Sequence, residues 1–387
     1  MNTFPKNTSS NPSDDLLKQE SLSLTEEGIK EIPISLPKGT IDELSKPRTR
    51  KSKYFHPIIM VFLMLLIASQ LMAQVSGTVE VGAVYTDNAF QLSDYDLERN
   101  ENNHADLKFV DSADDVVLNT KLTGFYKTHW RWWQIQPSLQ INAYQHILNT
   151  DKQRFEALAG IKVSRKYGEL GLSYGYYPEN YIRYYKDTDG SGEQEKYSYE
   201  KNLYRAELKV KPLSKTTLSL DYRFEDYFYN KYFTEFDGDI TTWTVGLQQS
   251  FPTFYLDASY GFREYQTEKG KEFDNPEDAS YESDIYSFGI MIKKMPIDSR
   301  YPNIYWRPNL DLRFEERYYQ GSDNWHSART DNINRTDTSL MFYFGEQWNI
   351  NLDYSHIFRN VDAPYSSVRK YKEYSENRFG VSVKYLF

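Results

Sequence analysis

Cysteine is absent from the 387 residues, which excludes a disulfide framework, a thiol nucleophile, a cysteine-ligated metal and a lipidated N-terminal cysteine. Glycine (19) and proline (15) are too sparse for a low-complexity chain. Histidine is scarce as well, with six, at positions 56, 104, 129, 146, 326 and 356. That leaves little for acid–base catalysis, and no metal cofactor is expected from histidine ligation. Apart from the stretch at 57–73, long apolar runs are missing, and the mean hydropathy is -0.73. A soluble protein would be the usual inference, but the strands of a membrane barrel alternate apolar with polar residues and also average to hydrophilic. What is abundant is aromatic: 34 Tyr, 22 Phe and 7 Trp make 16% of the chain, a composition that favours strands.

Residues 1–56 form a polar and then basic extension that reads as disordered. Its end carries Lys46, Arg48, Arg50, Lys51 and Lys53, immediately before the apolar run 57–73, which closes on Ala73. A basic segment, a short apolar segment and a small residue before the expected cleavage describe a secretory signal. A spanning helix needs about 20 apolar residues, whereas Ser69 and Gln70 interrupt this run. The extension is long for a signal, so either translation starts later or the extension has its own role. The expected mature part, 74–387, holds 37 basic and 47 acidic groups once the 9 and 8 of the leader are set aside. Its net charge of -10 makes nucleic acid an improbable partner.

From Val75 onward a period of two recurs. In 217–224, Leu218, Leu220, Tyr222 and Phe224 share one face, and Ser219, Asp221 and Arg223 the other. The same dyad separates Phe254, Leu256, Ala258, Tyr260 and Phe262 from Asp257, Ser259 and Arg263. It also separates Leu310, Leu312 and Phe314 from Asp311 and Arg313, and Ile350, Leu352 and Tyr354 from Asp353 and Ser355. A sandwich would turn the apolar face inward and a membrane barrel outward, and periodicity alone does not choose.

Loop lengths do choose. Fourteen strands are predicted, at 75–86, 114–127, 131–146, 154–165, 169–183, 197–211, 215–229, 240–251, 254–266, 283–294, 303–317, 333–344, 347–359 and 374–387. Short turns (128–130, 166–168, 212–214, 252–253, 295–302, 345–346) alternate with long charged loops such as 87–113, 184–196, 267–282 and 318–332. That asymmetry belongs to a transmembrane antiparallel up-and-down β-barrel of the outer membrane. Aromatic residues at predicted strand ends, Trp130, Trp132 and Trp133 or Phe344 and Trp348, fit an interfacial belt, although ordinary strand aromatics would also place them there.

The chain stops on Arg378-Phe379-Gly380-Val381-Ser382-Val383-Lys384-Tyr385-Leu386-Phe387. This stretch resembles the C-terminal signal of Gram-negative outer-membrane barrels: a polar residue, a glycine two later, spaced apolar or aromatic residues and a final Phe. The resemblance implies that the barrel-assembly machinery would recognise Gly380, Tyr385 and Phe387. A second stretch, Tyr85-Thr86-Asp87-Asn88-Ala89-Phe90, is similar to the Tyr-x-Asp-Asn-x-Phe of porin-like barrels, some associated with exopolysaccharide production. Ala89 stands where a larger apolar residue is common.

Alternation places a charged set on the lumen side: Lys121, Lys162, Arg205, Glu207, Asp221, Arg223, Asp257, Arg263, Arg307, Asp311, Arg313 and Asp353, with Glu80, Glu156, Lys209, Glu225, Glu315, Arg378 and Lys384 beside them. Facing ladders of opposite charge would line a water-filled pore. Cross-strand ion pairs filling a narrow lumen would look the same. Asp187, Asp189 and Ser191 sit at the early spacing of a calcium loop, yet Ser198 replaces its final Glu, and a flexible acidic loop explains the run equally well. Asp353, Ser355 and His356 are near in sequence, but alternation puts His356 opposite Ser355.

The leading expectation is therefore a non-enzymatic porin-like channel for small hydrophilic solutes, embedded among outer-membrane lipids and lipopolysaccharide. The alternatives are a non-channel barrel acting in surface interaction or exopolysaccharide export, and an outer-membrane hydrolase.

Overall fold

A computed structural model of the chain describes residues 75–387 except 188, 189, 269, 271–277, 299 and 302. The expected extension and secretory signal lie outside the described residues. Fourteen long strands follow one another: β1 (Val75–Thr86), β2 (Asp115–Tyr126), β3 (Trp133–His146), β4 (Arg154–Arg165), β5 (Gly168–Lys186), β6 (Gln194–Leu213) and β7 (Thr216–Tyr229), then β8 (Gly238–Ser250), β9 (Phe254–Thr267), β10 (Tyr281–Ile292), β11 (Ile304–Tyr319), β12 (Thr330–Phe344), β13 (Trp348–Asp362) and β14 (Tyr374–Leu386). Each pairs antiparallel with its sequence neighbours. Nine residue pairs, from Thr78↔Leu386 to Thr86↔Arg378, then join β14 to β1 and close the barrel.

Closure is what allows this sheet to enter hydrocarbon, where each unpaired backbone group would cost several kcal/mol. The seam runs to the last residue. Gly77 donates its N–H to the Phe387 carbonyl at 2.9 Å, and Phe387 donates back at 3.0 Å.

Alternation decides which side of the wall each residue takes. Leu220, Leu256 and Leu352 point outward, 40%, 41% and 44% exposed, whereas Asp221 points inward and is 7% exposed. In water an uninterrupted apolar surface of this kind would aggregate; in a bilayer it meets acyl chains. Among the described residues no helix is long and apolar enough to cross a membrane. The crossing is made by strands, of which only about 9–11 residues are needed.

Two expectations are corrected. Thr128–Trp130, expected as a turn, pairs with Gln134 and its neighbours as an extension of the β2–β3 hairpin. The reversal instead falls at Arg131, whose φ is +55°. Likewise Met295–Pro296, inside an expected turn, pairs with Trp306 and Tyr305 of β11. Both segments prolong a hairpin by backbone pairing, which turn composition does not reveal.

The orientation yields a direct prediction. Leu220→Arg puts a charge on the lipid face and should destabilise the membrane-inserted barrel by about 2–4 kcal/mol if it lies near the midplane. Ser219→Arg, one residue away but facing the lumen, should change little. Denaturant unfolding in lipid vesicles measures the difference, and equal losses would mean that the two faces are misassigned.

Candidate functional site: the lumen and its mouth

The inward charges form local networks. Asp221 on β7 accepts from Arg205 Nε at 2.5 Å and from Arg223 Nε at 2.6 Å, while Glu207 accepts from Arg205 at 3.2 Å and from Lys209 at 3.0 Å. On the opposite arc, Glu315 gathers Arg263 (2.9 Å), Arg313 (2.8 Å) and Arg317 (2.6 Å). Lys162 pairs with Glu169 at 3.4 Å. Lys121 stands in register with Glu80, which also holds Lys384 at 2.9 Å. Asp257 accepts from Gln248 at 2.9 Å, Asp311 from Asn309, and Asp353 from Asn351 at 3.2 Å. Arg307 lies 5.5 Å from the centre of the Tyr343 ring.

Most of the expected lumen residues are thus tied to a neighbour, and the barrel is not empty of space. A cavity of about 780 Å³ opens between β4 and β11 at the short-turn end, lined in part by Lys209, Gln248, Asp257 and Asp311. A Cβ at Gly380 would meet the Asp353 carboxylate across the β13–β14 pair, so that side chain would have to turn aside.

The long-loop end is organised differently. The β1–β2 loop, with α1 (Asp94–Glu101), folds over the mouth, and the Tyr-x-Asp-Asn-x-Phe stretch fastens it. Asp87 accepts from the Asn377 backbone and side chain, both at 2.7 Å. Asn88 is 2% exposed; its Nδ2 donates to the carbonyls of Leu92 (2.8 Å) and Ser375 (2.9 Å), and its Oδ1 accepts from Leu92 N (2.8 Å). Gln91 then donates to Glu376 of β14 at 3.1 Å, while Arg183 of β5 donates to the Phe90 carbonyl at 3.0 Å. Lys152 sits 4.3 Å over the Phe90 ring.

Since β14 and β5 are five strands apart round the wall, Phe90 and Gln91 bridge more than a third of its circumference. Phe90, Leu92, Leu107, Val110 and Tyr181 form a buried apolar knot beneath this bridge. Burial, reinforced by Arg183 and Arg154, pushes the Lys152 ammonium down to about 8, against the opposing pull of Glu376 and Asp115.

A third feature escaped the sequence reading. Tyr199, Tyr227, Tyr265, Tyr281 and Tyr319 share the inward parity of the expected lumen charges; alternation carried on past Arg263 and Arg313 reaches Tyr265 and Tyr319, and the register sets Tyr281 between those two. Their rings follow one another at centroid distances of 5.0, 6.4, 5.4 and 5.5 Å. Arg317 lies 4.9 Å from the Tyr281 ring and Arg329 lies 4.2 Å from the Tyr319 ring. Asp331, missed for the same reason, binds Arg329 at 2.9 Å and also Arg359.

Other candidates separate. Asp187 accepts from the backbone N–H of Gly190 (3.0 Å) and Ser191 (2.6 Å), closing its own loop; Asp189 lies outside the described residues. Among the described residues no group of three carboxylate or histidine side chains could hold a metal. Ser355 faces inward and is buried, and His356 bonds Asn377 Oδ1 at 2.9 Å on the other face. Among the described residues there are three histidine–carboxylate pairs, His104–Asp106 at 3.5 Å, His146–Asp115 at 2.9 Å and His326–Asp323 at 2.8 Å. Asp115 also accepts from the backbone N–H of Ile147, Leu148 and Asn149, so it braces the β3–β4 loop. Among the described residues none of these three imidazoles has a serine hydroxyl as a hydrogen-bond partner.

Closure, outward apolar residues and inward charge define a transmembrane β-barrel. No family model matches the sequence, and no curated protein matches it. Solved structures with a similar fold include the outer membrane channel DcaP of Acinetobacter baumannii, at 11% identity and a TM-score of 0.44, covering 81% of this chain and 96% of that one. A bacterial polysaccharide outer membrane secretin matches at 9% and 0.42, over 80% and 98%. An anion-selective porin from Comamonas acidovorans matches at 8% and 0.39, over 81% and 98%.

Proposed function

We propose that this chain is an outer-membrane, porin-like channel through which small hydrophilic solutes diffuse, reached after export through the general secretory pathway. The observation that carries the reading is a closed wall of fourteen strands whose interior is charged and holds a cavity of about 780 Å³ that opens at the short-turn end. Ion-paired side chains in a hydrated lumen create a transverse field, as pore walls do. In this role Gly380, Tyr385 and Phe387 serve insertion by the assembly machinery, and the acidic long loops face lipopolysaccharide. Purified full-length protein in a planar bilayer should give discrete conductance steps. Membranes that contain folded barrel and never conduct would overturn the channel reading.

A second reading, a barrel that works chiefly through its loops, draws on the bridge made by Phe90 and Gln91 across the mouth. It predicts no steps until that loop is removed, so the same measurement separates the two.

A further inference from the structure

A plain diffusion pore has no use for a row of aromatic rings on its inner wall. The lumen side of a water-filled barrel is ordinarily polar, because an apolar face there forfeits contact with water. Here five successive rings come from β6, β7, β9, β10 and β11, and all but Tyr281 keep part of their surface accessible. At β8 the row meets Gly238, in register with Tyr227, which has no side chain to part Tyr227 from Tyr265. From the first ring to the last, the successive spacings give a path of about 22 Å along the wall. The row leaves the line of register twice, each time toward the short-turn end: Tyr227 stands two residues from Tyr229, the partner of Tyr199, and Tyr265 two residues from Thr267, the partner of Gly238. It is a track and not a collar.

Phenol rings pair a flat apolar face with a hydrogen-bonding edge. A pyranose ring pairs the same two surfaces, C–H faces and hydroxyl edges, and stacks on such a track with its hydroxyls still hydrogen-bonded. Charge narrows the class. Toward the Tyr281 and Tyr319 end, five guanidinium groups (Arg263, Arg313, Arg317, Arg329 and Arg359) surround two carboxylates, Glu315 and Asp331, while at the other end Tyr227 donates to Glu225 at 3.1 Å, which also holds Lys201 at 3.3 Å. The excess is positive in a protein whose overall charge is -9. Guanidinium groups bind carboxylates in bidentate fashion, which suits acidic sugars.

We propose that this row is a binding track for acidic oligosaccharides, chains of pyranose rings bearing carboxylates, along the lumen wall. The proposal rests on the channel reading for solute access, and its test distinguishes the two. Trigalacturonate, added to the full chain in a planar bilayer, should interrupt the current in brief blocks at a concentration at least ten-fold below that needed with neutral maltotriose.

Replacing two rings together, Tyr199→Leu with Tyr227→Leu, should shorten the blocks at least ten-fold. The corresponding Tyr→Phe pair, which keeps the stacking faces, should recover most of the residence. If the Leu pair does not assemble, Tyr199→Leu alone carries the test. Steps with equal or absent block by the two sugars would overturn the track and leave the channel standing. If no current flows, the channel reading fails, and equilibrium dialysis of trigalacturonate against detergent-purified barrel decides the track: binding retains it, and none overturns it.

Discussion

Excising residues 90–112 and joining Ala89 to Ala113 through a short Gly-Ser bridge should raise single-channel conductance about two-fold or more, because the segment that crosses the mouth narrows the conducting path. The graft is geometrically mild, since Ala89 already donates its N–H to the Ala113 carbonyl at 2.7 Å. Strand pairing of β1 with β2 and β14 does not involve the excised residues, so the barrel should assemble as before. A gentler variant, Arg183→Ala with Phe90→Ala, removes the contact to β5 and should make the current flicker between the two levels. Unchanged conductance in both would show that the loop lies clear of the path.

The same loop should respond to pH with a sign that is easy to mistake. In the docked loop Lys152 titrates near 8, whereas released into water it would return to about 10.4. The released state therefore binds more protons between those values, and docking strengthens as pH rises through that window. Below pH 8 the ammonium is charged in both states, and the desolvation cost of seating Phe90 over it is fully present. Flicker should accordingly become rarer from pH 8 to about 10.4. Lys152→Met should lose this step while Arg183, Arg154, Glu376 and Asp115, the other charges facing that site, remain.

How much of this was legible in the sequence follows from the range of the forces involved. Alternation is local, so β1 and β4 occupy 75–86 and 154–165 as expected, and Asp221 and Leu220 take the expected sides. β5 and β6 run longer than expected, to Lys186 and from Gln194, because they pair beyond the expected limits through irregular registers near Tyr177 and Tyr181. Bulges break the period of two that the reading relied on. The Tyr-x-Asp-Asn-x-Phe stretch was recognisable only as a resemblance; its meaning lies in bonds from Asp87 and Asn88 to residues nearly 290 positions away. The tyrosine row was readable by parity alone, but aromatic residues in an alternating strand suggest lipid contact first, and only the register shows five of them meeting inside.

Replacing Glu315 by Gln should produce the largest change in selectivity of any single lumen substitution. This carboxylate is 5% exposed and is the shared partner of Arg263, Arg313 and Arg317. Removing it leaves three mutually repelling cations on one arc of the wall, and breaking a buried pair in this way destabilises by about 3–5 kcal/mol when water cannot compensate. In a water-filled lumen solvent would offset part of that cost, so a smaller loss of barrel stability is expected, together with a stronger preference for anions. The reversal potential in a salt gradient should move toward that of the anion, and more so at low ionic strength, where screening is weaker. Adding Arg313→Gln to Glu315→Gln restores the charge balance without restoring any hydrogen bond. If the double variant regains the original reversal potential but not the original unfolding midpoint, charge sets selectivity and hydrogen bonding sets stability. If both stay altered, the wall has repacked, and the electrostatic account of the lumen fails.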